Sequence, residues 1–205
     1  MISIADALKR LQEGNRRFVS GKVSEKTLAS RKHNVGVALP QKPFAIILAC
    51  SDSRVPTELI FDCGIGDLFV IRVAGNIASS SQIGSIEYAA KQFGTRLVVV
   101  LGHSNCGAVI ATLRELALKE SHRSPNLRAI VDNIRPALES VLKEEYDADA
   151  ESVVASCVRA NIRASVDSMQ QGSIILRQLI EKDQLRILGA EYSIETGFID
   201  FFEDD

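Results

Sequence analysis

The chain has 205 residues, and at about 150 residues per domain this length favours one domain over two. Apolar residues make up 46% of the sequence and charged residues 24%, a composition that excludes intrinsic disorder, collagen-like repeats and coiled coils. The net charge of −2 gives no general attraction to nucleic acid or to an anionic membrane. The apolar runs are strand-length and the first residues lack the apolar core of a secretory signal, so we expect a cytoplasmic protein without nucleic-acid or membrane partners.

The N-terminal part of the chain differs in pattern from the rest. Apolar residues at helical spacing predict an amphipathic helix over 3–20. Residues 21–42 are polar, and the sequence Pro-Gln-Lys-Pro at 40–43 marks their end. We predict an extended arm here, because proline restricts the conformation of the residue before it. We therefore divide the chain into an N-terminal helix and arm, 1–42, and a core, 43–205, within a single domain.

Five apolar runs in the core predict strands. The first of these runs is continuous, as expected for a parallel strand that is buried on both faces. The predicted strands are Phe44–Ala49, Leu68–Val73, Arg96–Leu101, Leu185–Gly189 and an edge strand at Gly197–Phe202. The predicted helices between and around them are Pro56–Phe61, Ser81–Phe93, Ala108–Leu118, Asn126–Glu144 and Ala150–Lys182. This alternation predicts an α/β fold, with a mostly parallel sheet flanked by helices.

The four cysteines are expected to differ in role. An even number permits two disulfides, but a chain of this length without a signal sequence favours reduced thiols. Cys63 and Cys157 have no neighbouring ligand type in the sequence, so we expect them to be buried apolar side chains. Cys50 and Cys106 have such neighbours.

Candidate metal ligands follow two of the predicted strands. Cys50 and Asp52 come after the first strand, and His103 and Cys106 come after the third. Ligands bind beyond the carboxyl ends of parallel strands, so these four side chains converge if the two strands are neighbours. Two thiolates, an imidazole and a carboxylate form a donor set that favours zinc. On spacing alone, reduced core thiols and a redox or nucleophilic cysteine remain open alternatives.

The number of strong ligands separates a structural from a catalytic zinc site. Structural sites are closed by four ligands, whereas catalytic sites have three and keep one position open. Only three soft ligands are available here, and the fourth candidate, Asp52, has Arg54 two residues after it. If Arg54 binds that carboxylate in a bidentate pair, Asp52 is held away from the metal and the site stays open.

Four segments of the sequence resemble the β-class carbonic anhydrases. These segments are Cys50-Ser-Asp-Ser-Arg54-Val, Arg72-Val-Ala-Gly-Asn76, Gly84-Ser-Ile-Glu-Tyr88-Ala and Gly102-His-Ser-Asn-Cys106-Gly-Ala. The resemblance runs from Leu11–Phe18 to Gly189–Gly197 and so covers nearly the whole chain. It implies a zinc enzyme that interconverts carbon dioxide and bicarbonate, in which zinc hydroxide attacks carbon dioxide.

The resemblance also implies a role for individual residues. Cys50, His103 and Cys106 match the three zinc ligands of the family. Asp52 and Arg54 match an Asp–Arg dyad that orients the nucleophile, and Asp52 would be the fourth ligand in a closed state of the site.

Substrate-pocket positions are implied in the same way. Gln41, Phe69 and Tyr88 match residues that line the carbon dioxide pocket of the plant-type members, and Gly107 follows the last zinc ligand as in the family. Family members form dimers, often paired into tetramers, with the pocket at the dimer interface. The resemblance therefore implies a homodimer or homotetramer in which the N-terminal helix and arm pack on the partner subunit.

One departure from the family concerns regulation. Some members carry a noncatalytic bicarbonate site built on Trp, Arg and Tyr. Arg72 and Tyr192 match the last two positions, but Ile47 stands at the tryptophan position and the chain has no tryptophan. Inactivation by bicarbonate is therefore not expected from the sequence.

Three alternatives to a carbonic anhydrase remain open on the sequence. A carbon disulfide hydrolase uses a similar zinc site on the same fold. A zinc-stabilised scaffold without catalysis would have Asp52 as a permanent fourth ligand. A redox cysteine protein would bind no metal.

Overall fold

A computed structural model describes residues 2–25, 27, 40–116, 124–142, 147–148 and 150–202, so most of the predicted arm lies outside the described residues. The strands are β1 (Ala45–Ala49), β2 (Leu68–Arg72), β3 (Leu97–His103), β4 (Arg186–Tyr192) and β5 (Ile199–Phe202). The α-helices are α1 (Ile4–Val19), α2 (Thr57–Ile60), α3 (Ser80–Gln92), α4 (Gly107–Leu116), α5 (Pro125–Glu139), α6 (Glu151–Gly172) and α7 (Ile174–Glu181), and a 3₁₀ turn covers Ala74–Asn76.

The strands form one sheet in the order β2-β1-β3-β4-β5. The first four strands are parallel, and β5 pairs antiparallel with β4 at the edge. The predicted mostly parallel α/β sheet is therefore confirmed, and so is the adjacency of the first and third predicted strands. Ala49 pairs with Leu101, so the residues that follow β1 and those that end β3 lie at the same edge of the sheet.

Burial of both sheet faces explains the continuous apolar run of β1. Ile46 and Leu48 belong to a core shared with α3 to α7, whereas Ala45 and Ile47 belong to a second core shared with α1 and α2. Because successive side chains of a strand point to opposite faces, a central strand covered on both sides must be apolar throughout. All five residues of β1 are buried.

The structure corrects the predicted helix Ala150–Lys182. Two helices occupy this range, and Ser173 between them has an extended backbone. The Ser173 hydroxyl accepts a hydrogen bond from the backbone N–H of Leu176, which is the usual way in which a serine caps the start of a helix. Gly172 directly before it is a residue type that commonly ends helices, so the Gly-Ser pair is the signal that periodicity alone did not use.

The predicted fourth strand was too short. Strand β4 continues from Gly189 to Tyr192 because it pairs with β3 as far as His103, and it also pairs with β5 on its other side. A strand with partners on both sides keeps its hydrogen bonds satisfied, whatever the polarity of a single residue such as Glu191.

Helix α1 packs its apolar stripe against its own chain. Ser3 caps the helix by accepting a hydrogen bond from the backbone N–H of Asp6. Ala7, Leu8 and Leu11 are buried in the core that includes β1 and α2. The packing of α1 on a partner subunit stays a prediction.

Gly14 allows α1 to touch the end of α2. A Cβ at this position would lie 1.9 Å from the carbonyl oxygen of Phe61, and a backbone atom cannot move aside cheaply. We expect Gly14→Ala to lower the free energy of unfolding by about 3 kcal/mol, the upper end of ordinary overpacking costs. Chemical denaturation measures this change.

Gly84→Ala is the matched control for that experiment. Gly84 is also a helical glycine, in α3, but a Cβ there meets nothing within 4 Å. Because alanine favours a helix over glycine by about 1 kcal/mol, Gly84→Ala is expected to be neutral or stabilising. Equal destabilisation by the two changes would contradict the close approach of α1 to Phe61.

Candidate metal centre

The residues at the carboxyl edge of the sheet form a cluster of metal-binding side chains. Cys50 follows β1, His103 ends β3 and Cys106 precedes α4. One ligand atom from each lies within 4.8 Å of the others, and all three residues are buried. The two sulfur atoms are 3.9 Å apart. Tetrahedral zinc with Zn–S bonds of about 2.3 Å places two sulfurs about 3.8 Å apart, so the cluster has the dimensions of a zinc site.

The imidazole of His103 tests the fit of a metal. Its Nδ1 lies 2.9 Å from the carbonyl oxygen of Ser104, which fixes the ring orientation. Its Nε2 is buried and has no hydrogen-bond partner among the residues that the structure describes. A histidine that donates from one nitrogen to a carbonyl presents the other, unprotonated nitrogen to a metal, and coordination gives this otherwise unsatisfied atom a partner.

The pKa values of the two thiols are shifted in opposite directions. A hydrogen bond from Cys106 lowers the pKa of Cys50 to about 4, despite burial, which acts in the other direction. The same hydrogen bond, together with burial, raises the pKa of Cys106 above its usual value. Cys50 is thus held as a thiolate, the form in which cysteine binds metals.

Asp52 and Arg54 form a bidentate pair beside the cluster. Arg54 donates from Nε to Oδ1 of Asp52 at 3.0 Å and from Nη2 to Oδ2 at 2.8 Å, and its backbone N–H donates to Oδ1 at 2.9 Å. These bonds hold the pKa of Asp52 well below its usual range. Oδ2 lies 3.8 Å from Nε2 of His103, so the carboxylate is close to the metal-binding atoms while both of its oxygens are bound by Arg54.

Arg72 braces the loop that carries Cys50 and Asp52. Its guanidinium donates to the carbonyl oxygen of Cys50 at 3.0 Å and to that of Asp52 at 2.5 Å. Tyr192, which matches a second position of the noncatalytic bicarbonate site, and Ile47, which stands in place of its tryptophan, are both buried. In this structure Arg72 therefore stabilises the loop that follows β1 and carries Cys50 and Asp52.

Glu195 stabilises the loop between His103 and Cys106, and no motif in the sequence points to it. Its carboxylate accepts hydrogen bonds from the Ser104 hydroxyl at 2.7 Å and from the Asn105 side-chain amide at 3.1 Å. Asn105 has a φ of 54°, in the left-handed region. Because about ninety positions separate Glu195 from this loop, no local spacing could have revealed the contact.

The expected pocket residues do not all lie at the metal centre of one chain. Gly107 directly follows Cys106 and begins α4. Phe69 pairs with Ile46, four positions before Cys50, which corresponds to about 13 Å along the strand. Tyr88 contacts Phe69 with ring centroids 6.3 Å apart and the rings tilted by 43°, and Tyr88 is 55% exposed.

Gln41 lies farther still from the cluster in its own chain. It precedes β1 and lines a cavity of about 650 Å³ that also contains Arg10, Lys42 and Arg96. This cavity is at the amino end of the parallel strands, whereas the metal cluster is at the carboxyl end.

The other two cysteines lie apart from the cluster. Cys63 and Cys157 are free and buried, as predicted. Burial raises the pKa of Cys63 to about 12 and raises that of Cys157, so both are protonated core side chains. Among the described residues, no helix is both long and apolar enough to cross a membrane.

Known proteins resemble the chain in both sequence and structure. The carbonic anhydrase family matches residues 45–199. Carbonic anhydrase 2 of Mycobacterium tuberculosis is 37% identical over 194 residues, which cover 93% of this chain and 89% of the relative. A carbonic anhydrase of Pseudomonas aeruginosa is 35% identical over 170 residues, covering 80% of this chain and 75% of the relative.

Solved structures agree with the sequence relatives. The β-carbonic anhydrase CcaA superposes with a TM-score of 0.71 at 27% identity, covering 96% of this chain and 88% of that one. A β-carbonic anhydrase of Coccomyxa superposes with a TM-score of 0.74 at 24% identity, covering 95% of this chain and 86% of that one, and this second likeness concerns the fold.

Proposed function

Because the chain belongs to the β-class carbonic anhydrases, we propose that it hydrates carbon dioxide reversibly at the cluster formed by Cys50, His103 and Cys106. The family uses zinc, and the cluster has the donor set and the spacing for that metal. The observation that carries the assignment is the buried Nε2 of His103, which faces two thiols and has no hydrogen-bond partner among the described residues. The overall reaction converts carbon dioxide and water into bicarbonate and a proton.

When bound by Cys50, His103 and Cys106, zinc would supply the nucleophile, because it lowers the pKa of a bound water from 15.7 towards about 7. The remaining steps fall to the side chains. Asp52, whose Oδ2 lies 3.8 Å from Nε2 of His103, accepts a hydrogen bond from the attacking nucleophile. This bond orients the lone pair of the nucleophile towards carbon dioxide. An ionised carboxylate can only accept hydrogen bonds, so a nucleophile without a hydrogen to donate would be disfavoured at this position.

Arg54 keeps Asp52 in its working state. Its two side-chain hydrogen bonds occupy both carboxylate oxygens, stabilise the negative charge and hold the group in one orientation. In this arrangement Asp52 is not one of the residues whose ligand atoms cluster within 4.8 Å of one another, and its pair with Arg54 holds it outside that cluster. The open position that a catalytic zinc site requires is thereby kept for water.

The substrate pocket is proposed to form between two chains. Phe69 lies about 13 Å along the strand from the level of Cys50, and Tyr88 beside it is half exposed, so neither is expected to line the metal centre of its own chain. In a homodimer, or a homotetramer built from two dimers, these side chains and Gln41 of one subunit would supply the apolar wall and the amide donor of the partner's site. Gly107 would contribute from the same chain as Cys106.

The N-terminal segment and the location belong to the same proposal. Residues 1–42 would form part of the contact between subunits, as family membership implies, and 43–205 would carry the catalytic centre.

A cytoplasmic location is supported by the four free cysteines, because thiols stay reduced in that compartment.

The alternatives are less well supported. A closed zinc scaffold needs Asp52 on the metal, whereas Arg54 binds both of its oxygens. A carbon disulfide hydrolase would use the same ligands, but the relatives named above are carbonic anhydrases at 35% and 37% identity.

Stopped-flow hydration of carbon dioxide between about pH 6.5 and pH 9, on protein with measured zinc content, tests the proposal. One zinc per chain and a turnover that rises with pH are expected. Carbon disulfide is assayed in parallel on the same protein. Stoichiometric zinc without carbon dioxide hydration at any pH would overturn the proposal, and turnover of carbon disulfide alone would establish the other hydrolase.

A further inference from the structure

A hydrogen bond from the backbone reaches one of the metal-binding sulfurs. The N–H of Gly75, in the 3₁₀ turn that follows β2, donates to Sγ of Cys50 at 3.4 Å. Such a bond stabilises the thiolate and withdraws electron density from it, so it affects how the sulfur holds a metal. The position of Gly75 is therefore part of the electronic environment of the centre.

Gly75 is held in place by two helices from the second half of the chain. Its carbonyl oxygen accepts a hydrogen bond of 2.8 Å from Nδ2 of Asn161, in α6. Its φ of 71° is in the left-handed region, and a Cβ would lie 2.7 Å from Cδ1 of Ile134, in α5. The residue thus has Ile134 against its Cα and Asn161 on its carbonyl oxygen.

Asn161 is buried in the core, where its side chain makes this contact. Only 2% of the residue is exposed, and its neighbours in α6 include the buried apolar residues Val158 and Ile162. A buried amide in an apolar environment is costly unless its hydrogen bonds are made. Here the side-chain amide of Asn161 donates to the carbonyl oxygen of Gly75, and the backbone N–H of Gly75 donates to the metal-binding residue Cys50.

We propose that Asn161 is a positioning residue for the zinc centre: by fixing the carbonyl of Gly75, it keeps the N–H of that residue on the Cys50 thiolate. The proposal rests on the zinc centre assigned above. Asn161 acts through Gly75 and contacts neither the metal nor the substrate. Outer partners of metal ligands commonly contribute tenfold to hundredfold in metal affinity.

Asn161→Leu removes the amide donor and keeps the number and branching of the side-chain heavy atoms. We expect zinc affinity, measured by competition with a chelator, to fall by about tenfold or more. The absorption band for sulfur-to-metal charge transfer of the cobalt(II)-substituted protein is expected to shift, because the thiolate loses a hydrogen bond. A general loss of stability does not shift that band.

Asn15→Leu is the matched control. Asn15 is also buried, at 3% exposure, and also donates to backbone carbonyls, those of Ile60 and Gly197, away from the metal cluster. We expect it to lower stability without changing zinc affinity or the cobalt spectrum. If Asn161→Leu fails to fold, Asn161→Ser, whose hydroxyl is too short to span the gap, takes its place.

The outcomes separate the two proposals. Unchanged zinc affinity and an unchanged cobalt band in the Asn161 variant, or equal changes in the Asn15 control, would overturn the positioning role. A wild-type protein that binds zinc tightly but does not hydrate carbon dioxide would overturn the proposed function. The role of Asn161 would still be decided by zinc affinity and the cobalt band, because neither measurement depends on activity.

Discussion

Replacing Asp52 with asparagine is expected to leave one zinc bound per chain and to lower kcat by about 100-fold or more, the cost of a misoriented reacting group. The amide has nearly the same shape as the carboxylate but carries no charge. One of its two terminal atoms becomes a donor, which conflicts with the two N–H groups of Arg54 now bound to Oδ1 and Oδ2. Zinc analysis and stopped-flow hydration on the same sample measure both effects.

The pH profile of the Asp52→Asn variant has a distinct signature. Arg54 lowers the pKa of Asp52, and a carboxyl with a depressed pKa is ionised at every pH above its ordinary value of about 3.9. Protonation of Asp52 therefore does not cause the fall in activity between pH 9 and pH 6.5. The variant is expected to lose amplitude across this range and still to show activity that rises with pH, because the group that titrates there is not Asp52.

Asp62→Asn provides the control for the loss of a carboxylate paired with arginine. Asp62 is buried and accepts a 2.6 Å hydrogen bond from Nε of Arg17, on α1 and outside the metal cluster. This change is expected to lower stability while kcat stays at the wild-type value. Full activity in Asp52→Asn, or an equal loss of kcat in Asp62→Asn, would show that Asp52 does not orient the nucleophile.

The part of the site that could be predicted from the sequence is the part encoded locally. Cys50 and Asp52 lie within three residues of the end of β1, and His103 and Cys106 flank the turn after β3. A buried parallel strand is recognisable by its apolar run, and the position after its carboxyl end is a general place for ligands. Only the adjacency of β1 and β3 had to be supplied by the structure.

The contacts that stabilise the site come from distant parts of the chain, and local patterns do not encode them. Glu195 binds Ser104 from a loop after β4, and Asn161 reaches Gly75 from α6. Glutamate on a loop and asparagine on a helix are common residue types, so neither carries a signal until tertiary packing brings the partners together. The break at Ser173 is different, because the Gly-Ser pair is a local signal, although helical periodicity continues across it.

Cys106→Ala is expected to abolish stoichiometric zinc binding, and activity with it. The change removes one of the three clustered ligands. A loss of metal affinity well beyond the tenfold to hundredfold typical of outer partners is expected, because a direct ligand is removed. Dialysis followed by metal analysis measures the zinc that remains.

Cys157→Ala separates ligand loss from the ordinary cost of a smaller core side chain. Cys157 is fully buried in α6, and like Cys106 it would leave a small cavity when shortened, but within the described part of the chain it belongs to no cluster of metal-binding side chains. We expect this variant to be somewhat less stable and to retain one zinc per chain with wild-type kcat. If Cys106→Ala also kept its zinc, the metal would have to be held by Cys50, His103 and Asp52, and the Asp52–Arg54 pair would then have to open.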